Sequence, residues 1–108
     1  MGAYWGYTLA MGTSSKDAFD FARKNAISEY GNNPYNGTIS TFSGFKEVAA
    51  PKGKTSKELY DMIDDYDYME KTYPTLGEKW STSGCFKVDL NEGCDNINQY
   101  VFWGWFAT

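Results

Sequence analysis

Tyr100-Val101-Phe102-Trp103-Gly104-Trp105-Phe106-Ala107-Thr108, at the C-terminal end of the sequence, decides how the rest must be arranged. On an extended backbone Tyr100, Phe102 and Phe106 point one way while Val101, Trp103 and Trp105 point the other. Both sets are apolar, so this strand must be buried on both faces. A second aromatic stretch, Tyr4-Trp5-Gly6-Tyr7-Thr8-Leu9-Ala10-Met11, ends at Gly12, has the same character and is expected to be a central strand. Trp5-Gly6-Tyr7 and Trp103-Gly104-Trp105 look alike, and one explanation is that the first and last strands neighbour each other in the sheet centre. With only two copies this is not a repeat architecture.

Between these strands the punctuation is that of helices and turns. Ser14 is an N-cap with Asp17 three residues on, Phe19, Ala22, Ala26 and Tyr30 follow at helical spacing, and Gly31 is the C′ residue, which predicts a helix over about 15–30. Asn32-Asn33-Pro34 blocks its continuation. After the Tyr35-Asn36-Gly37 turn, Thr38 to Ser43 reads as a strand of β-branched and hydroxyl residues, broken by a bulge at Gly44 and resuming through Phe45-Lys46-Glu47-Val48. Pro51 and Gly53 mark a solvated loop, and Thr55 or Ser56 caps a second helix that ends near Tyr73-Pro74. Its apolar stripe is Leu59, Met62, Ile63, Tyr66 and Met69. Trp80 to Gly84 reads as a polar link. Cys85, Lys87 and Asp89 then alternate with Phe86, Val88 and Leu90, a strand with one solvated side. The order β-α-β-α-β-β defines an α+β two-layer sandwich, a mostly antiparallel four-stranded sheet with two helices on one face.

The 108 residues form one domain, residues 1–108, large enough for a core of its own. A balance of 10 Lys+Arg against 14 Asp+Glu, net charge −4, opposes binding to phosphate backbones or anionic lipid. Histidine is absent, which excludes imidazole-based triads, His-ligated zinc and imidazole pH switches. No signal-peptide pattern and no run approaching a membrane span occurs, so the chain reads as soluble and cytoplasmic. In that compartment Cys85 and Cys94 are expected as free thiols, although their spacing also allows a cross-hairpin disulfide.

The sharpest electrostatic feature runs from Glu58 to Glu70, six acids among thirteen residues with no basic side chain between them. On a continuous helix Glu58, Asp61 and Asp65 share one face, with Asp64 beside Asp61, so the carboxylates approach the spacing of a row of phosphates. Aspartate is a poorer helix former than glutamate, so Asp61, Asp64, Asp65 and Asp67 are hard to explain as surface filling and favour a binding face over an ordinary solvated one. Tyr60, Tyr68 and Tyr73 add rings that meet Arg and Lys by cation–π contact and hydrogen bonding. The helical setting lacks the glycine bend of a calcium loop, and no metal site, cofactor or catalytic constellation is nominated. A second candidate, for a small molecule or nucleotide, is the turn containing Asn32, Asn33, Tyr35, Asn36, Thr38 and Ser40, whose donors can face an anion or simply satisfy the local backbone.

The stretch Asn33-Pro34-Tyr35-Asn36-Gly37-Thr38-Ile39-Ser40-Thr41, preceded by a helix ending Glu29-Tyr30-Gly31, resembles a segment of small bacteriophage-type proteins over roughly residues 15–48. The resemblance implies a phage or prophage origin and carries over no catalytic residue. Small acidic phage domains without histidine are similar in kind to inhibitors of host defence, anti-CRISPR proteins and DNA mimics among them. The expected function is accordingly a non-enzymatic inhibitor in the bacterial cytoplasm. Its acidic, aromatic helix would cover a basic surface of a host nucleic-acid-binding protein. A sequestering module for a small ligand is the alternative. The oligomeric state stays open, since an exposed sheet edge can add a strand from a second copy.

Overall fold

The computed structural model describes residues 3–31, 38–49, 51, 56–74, 76, 82–88 and 98–107. In chain order these form β1 (Ala3–Gly12), α1 (Ser15–Tyr30), a 3-10 turn (Ile39–Thr41), β2 (Gly44–Glu47), α2 (Ser56–Asp64), α3 (Tyr66–Thr72), β3 (Thr82–Val88) and β4 (Asn98–Ala107). The strands make one sheet in the order β1-β4-β3-β2. β4 is antiparallel to both its neighbours, and β2 runs parallel to β3. The class is α+β with a four-stranded mixed sheet, as expected.

β4 is buried on both faces, as its alternation requires, and each face has its own cover. Phe102 and Phe106 pack with Ala18, Phe19, Ala22 and Ala26 of α1. Val101 and Trp103, pointing the other way, pack with Leu59, Ile63 and Met69 of α2 and α3. The helices expected together on one face are therefore divided between the two. The reason lies in β4 itself: an α-helix pair on one side would leave Val101 and Trp103 in water, at a cost of about 1.5–3 kcal/mol for each large side chain.

The likeness of the two Trp-Gly motifs is a register. Trp5 pairs with Trp105, Gly6 with Gly104 and Tyr7 with Trp103 along an unbroken antiparallel ladder. The strands neighbour each other as expected, but β1 is an edge strand and not a central one. Apolar side chains on both its faces reflect helices above and below, with α1 on one side and the Tyr7–Tyr60 stack and the Trp5–Ile63 hydrogen bond on the other.

Four further expectations change. Thr38 to Thr41 is a 3-10 turn, because the Thr41 N–H and hydroxyl both return to the Thr38 carbonyl, at 3.0 and 2.8 Å. This i, i+3 spacing aims Ile39 and Phe42 into the α1 core together, which alternating strand geometry would not do. The short β2 simply begins at Gly44, without a bulge. Thr82, Ser83 and Gly84, assigned to a link, open β3, where the Ser83 hydroxyl is buried and donates to the Trp103 carbonyl at 3.1 Å. Ser83 and Cys85 are thereby buried on the side of β3 expected to be solvated, and among the described residues of that row Lys87 is exposed. The stretch from Asp89 to Asn96, Cys94 included, lies outside the described residues.

Helix α1 matches its signals. The Asp17 N–H donates to Ser14 Oγ at 3.2 Å, and Gly31, at φ 83°, returns its N–H to the Ile27 carbonyl at 2.9 Å.

Candidate functional site

The helix carrying the acids is broken. α2 stops at Asp64, Asp65 leaves helical geometry, and the Asp65 carboxylate accepts the Tyr68 N–H at 3.2 Å as N-cap of α3. One non-helical residue hardly disturbs the phase of the apolar stripe, which is why Leu59, Met62, Ile63, Tyr66 and Met69 read as a single helix. Part of the aspartate content thus has a local cause. Glu58 lies in the first turn of α2 and Asp67 in the first turn of α3, where negative charge is favoured by the helix dipole.

The break still leaves acids and an aromatic together. Glu58, Asp61, Asp65 and Tyr68, with Met62 between them, line one shallow depression of about 430 Å³ on the outer surface of α2 and α3. Tyr68 is 43% exposed and all three carboxylate residues are exposed. Asp64 and Asp67 are exposed as well but do not line the depression. Tyr60 does not join it: its ring stacks on Tyr7 at 5.1 Å and 12°, part of the sheet packing. Tyr73 does not join it either, and packs edge-on to Phe86 and against Trp103, both at 5.6 Å. Burial pushes the Tyr73 phenol above its ordinary range, with a further rise from Tyr68. Of the eight residues proposed for this face, four therefore share a concavity, two flank it and two belong to the core margin.

Beside the depression, Trp5, Tyr66 and Trp105 form a closed aromatic triangle with centroids 5.0, 5.1 and 5.7 Å apart, each pair edge to face. The three rings, with Glu70, Tyr73, Pro74 and Leu76, line a small cavity of about 80 Å³.

The second candidate falls largely outside the described residues, which include neither Asn32, Asn33, Tyr35 and Asn36 nor the side chain of Ser40. Thr38 is described, and it lines a groove of about 520 Å³ between β1 and the flank of α1. Phe21, Asn25 and Tyr30 form the α1 wall, and Tyr4, Thr8 and Ala10 the β1 wall. Burial raises the Tyr4 phenol above its ordinary range, and Tyr30 adds to the rise. Sequence reasoning passed over this groove. The available signal was Phe21, a large apolar residue off the stripe of Phe19, Ala22 and Ala26.

Cys85 is fully buried and reduced, with its thiol pushed well above the ordinary range by burial and then by the Glu47 carboxylate. Among the described residues no group of three or more His, Cys, Asp or Glu is placed to hold a metal ion, and no helix is long and apolar enough to cross a membrane. Comparison with protein-family models, with curated proteins and with solved structures gives no match to this chain.

Proposed function

We propose that this is a non-enzymatic interaction protein that presents the outer surface of α2 and α3 to a basic protein surface. The observation that carries the reading is the convergence of Glu58, Asp61, Asp65 and Tyr68 on one exposed depression. Carboxylates offer acceptors to Arg and Lys, and the tyrosine ring supplies a cation–π face beside them. A partner that itself binds nucleic acid carries such a basic surface, and covering it blocks that binding by competition. On this reading the protein is a phage-type inhibitor of a host defence system or of another nucleic-acid-binding protein, acting in the bacterial cytoplasm. It uses no cofactor and performs no catalysis.

The test compares wild type with a variant carrying Asp61→Asn, Asp64→Asn, Asp65→Asn and Asp67→Asn. Asparagine keeps the capping oxygen at position 65 while removing charge. Each protein is immobilised, exposed to bacterial lysate and eluted with salt. The expected result is a nucleic-acid-binding protein retained by wild type, released by moderate salt and lost from the variant. Adding wild type to that purified protein should then displace its nucleic acid. Equal retention by both baits, or a captured protein that keeps its nucleic acid, sinks the proposal.

A further inference from the structure

β1 combines features that natural sheet edges avoid. Among the described residues no strand pairs with its outer edge. It is ten residues long, about 33 Å at the usual rise. Ala3-Tyr4-Trp5-Gly6-Tyr7-Thr8-Leu9-Ala10-Met11-Gly12 contains no charged residue and no proline, and its register with β4 is continuous, so no bulge turns it away. Lysine, proline, bulges and shortness are the usual protections of an edge, and β1 has none of them. The groove of about 520 Å³ runs along this strand, between β1 and the flank of α1.

From this edge we infer that the protein forms a symmetric dimer in which the β1 strands of two copies pair antiparallel, joining two four-stranded sheets into one of eight strands. The choice of a second copy as occupant rests on self-complementarity and on area. A two-fold axis normal to the sheet keeps each face with its like, so a register centred on Thr8 sets Thr8 against Thr8, Tyr7 against Leu9 and Trp5 against Met11. Leu9 and Met11, 43% and 46% exposed in the single chain, are then covered by rings of the other copy. On the opposite face the two α1 flanks run antiparallel across the same axis. The Phe21 end of one meets the Tyr30 end of the other, and the two Glu29 carboxylates are kept apart.

Phe21 and Tyr30 are 57% and 63% exposed, and Tyr4 is 51% exposed. At 150–250 Å² per aromatic side chain, these three with Leu9 and Met11 offer on the order of 500 Å² of apolar surface per copy. Together with the strand edge, that approaches the roughly 800 Å² per partner of a stable interface. β1 itself carries no charge to desolvate. The inference does not depend on the function proposed above.

Sedimentation equilibrium from micromolar to millimolar concentration tests it, with Leu9→Lys and Phe21→Glu as separate variants. Both side chains are exposed in the single chain, so helix content and Tm serve to check that each variant still folds. Wild type is expected to be a dimer, and each variant to weaken association by about tenfold or more. Thr8→Cys in a Cys94→Ser background supplies the geometric readout. Directly opposed residues of an antiparallel pair sit close enough for a disulfide, so mild oxidation should link two copies. A monomer at every concentration overturns the inference and leaves the groove at Thr38 to a small ligand. A dimer that ignores both Leu9→Lys and Phe21→Glu, or a folded Thr8→Cys variant that does not cross-link, overturns it equally.

Discussion

Gly84 lies directly beneath the indole of Trp103: a Cβ built on Gly84 would collide with the ring atoms Cε2 and Cζ2. The two residues are register partners on β3 and β4, and Trp103 is fully buried between the sheet and α2–α3. The missing side chain of one is thus the space occupied by the other.

Gly84→Ala should therefore destabilise the protein by about 1–3 kcal/mol or more, the range for forced overpacking. Gly44, with open space around its Cβ position and no left-handed backbone, is the matched control. Gly44→Ala should be neutral or stabilise by up to about 1 kcal/mol through the unfolded chain. Urea midpoints followed by tryptophan fluorescence check both. Equal effects of the two substitutions would contradict the packing described.

Asp65 separates a structural from a recognition role within the acidic stretch. Loss of the cap in Asp65→Ala should cost about 1 kcal/mol, whereas Asp65→Asn retains an acceptor and should cost less. Asp61→Asn and Asp64→Asn, without a cap to lose, should stay within about 0.5 kcal/mol of wild type. Thermal unfolding by circular dichroism distinguishes these outcomes. An Asp65→Ala variant as stable as wild type would remove the capping role.

The Trp5 indole N–H donates to the Ile63 carbonyl at 2.6 Å, tying β1 to the last turn of α2. Trp5→Phe keeps a ring against Tyr66 and Trp105 but leaves that carbonyl without its donor. A loss of about 1–3 kcal/mol is expected. Hydrogen exchange should show faster opening of α2 than of α1 in this variant. Uniform acceleration across both helices would mean that the bond does not dock α2.

Alkaline pH should expose the buried thiol. The folded pKa of Cys85 is raised, so the unfolded chain loses its proton first, at about pH 8.5. The stability tied to this group is complete below that pH and is lost as pH rises further, by up to about 1.4 kcal/mol per pH unit until the folded thiol ionises. Tyr4, Tyr73 and Tyr100 are shifted in the same direction by burial and add to the loss at still higher pH. Urea midpoints between neutral and alkaline pH should fall more steeply for wild type than for Cys85→Ala. Parallel slopes would refute the assignment.

Side-chain alternation and capping chemistry are local, and what they govern was legible in the residues. Ser14 and Gly31 bound α1 because each satisfies backbone groups within a turn or so of itself. The two-faced burial of β4 follows from Phe102 and Trp103 being adjacent and both too large to leave in water. The resemblance of Trp5-Gly6-Tyr7 to Trp103-Gly104-Trp105 marked two strands that do lie side by side. In the candidate site, the spacing of Glu58, Asp61 and Asp65 was enough to bring them to one surface, since a single-residue break hardly alters helical phase.

What covers each face was decided only by tertiary structure. Apolar residues on both faces of β1 read the same for a central strand as for an edge strand between helices. Hydrogen bonding along a strand edge leaves no mark on side-chain pattern, so the edge position of β1 could not be inferred from the sequence. The same holds for Thr38 to Thr41, where β-branched residues favour a strand and the burial of Ile39 and Phe42 against α1 imposes a turn. Tyr60 and Tyr73 have the composition of a binding surface, yet Tyr7, Phe86 and Trp103 draw them into the packing. Local chemistry determined which elements form and which faces are apolar. The division of helices between the two sides of the sheet is a long-range outcome, set by which partners bury Phe102 and Trp103 at once.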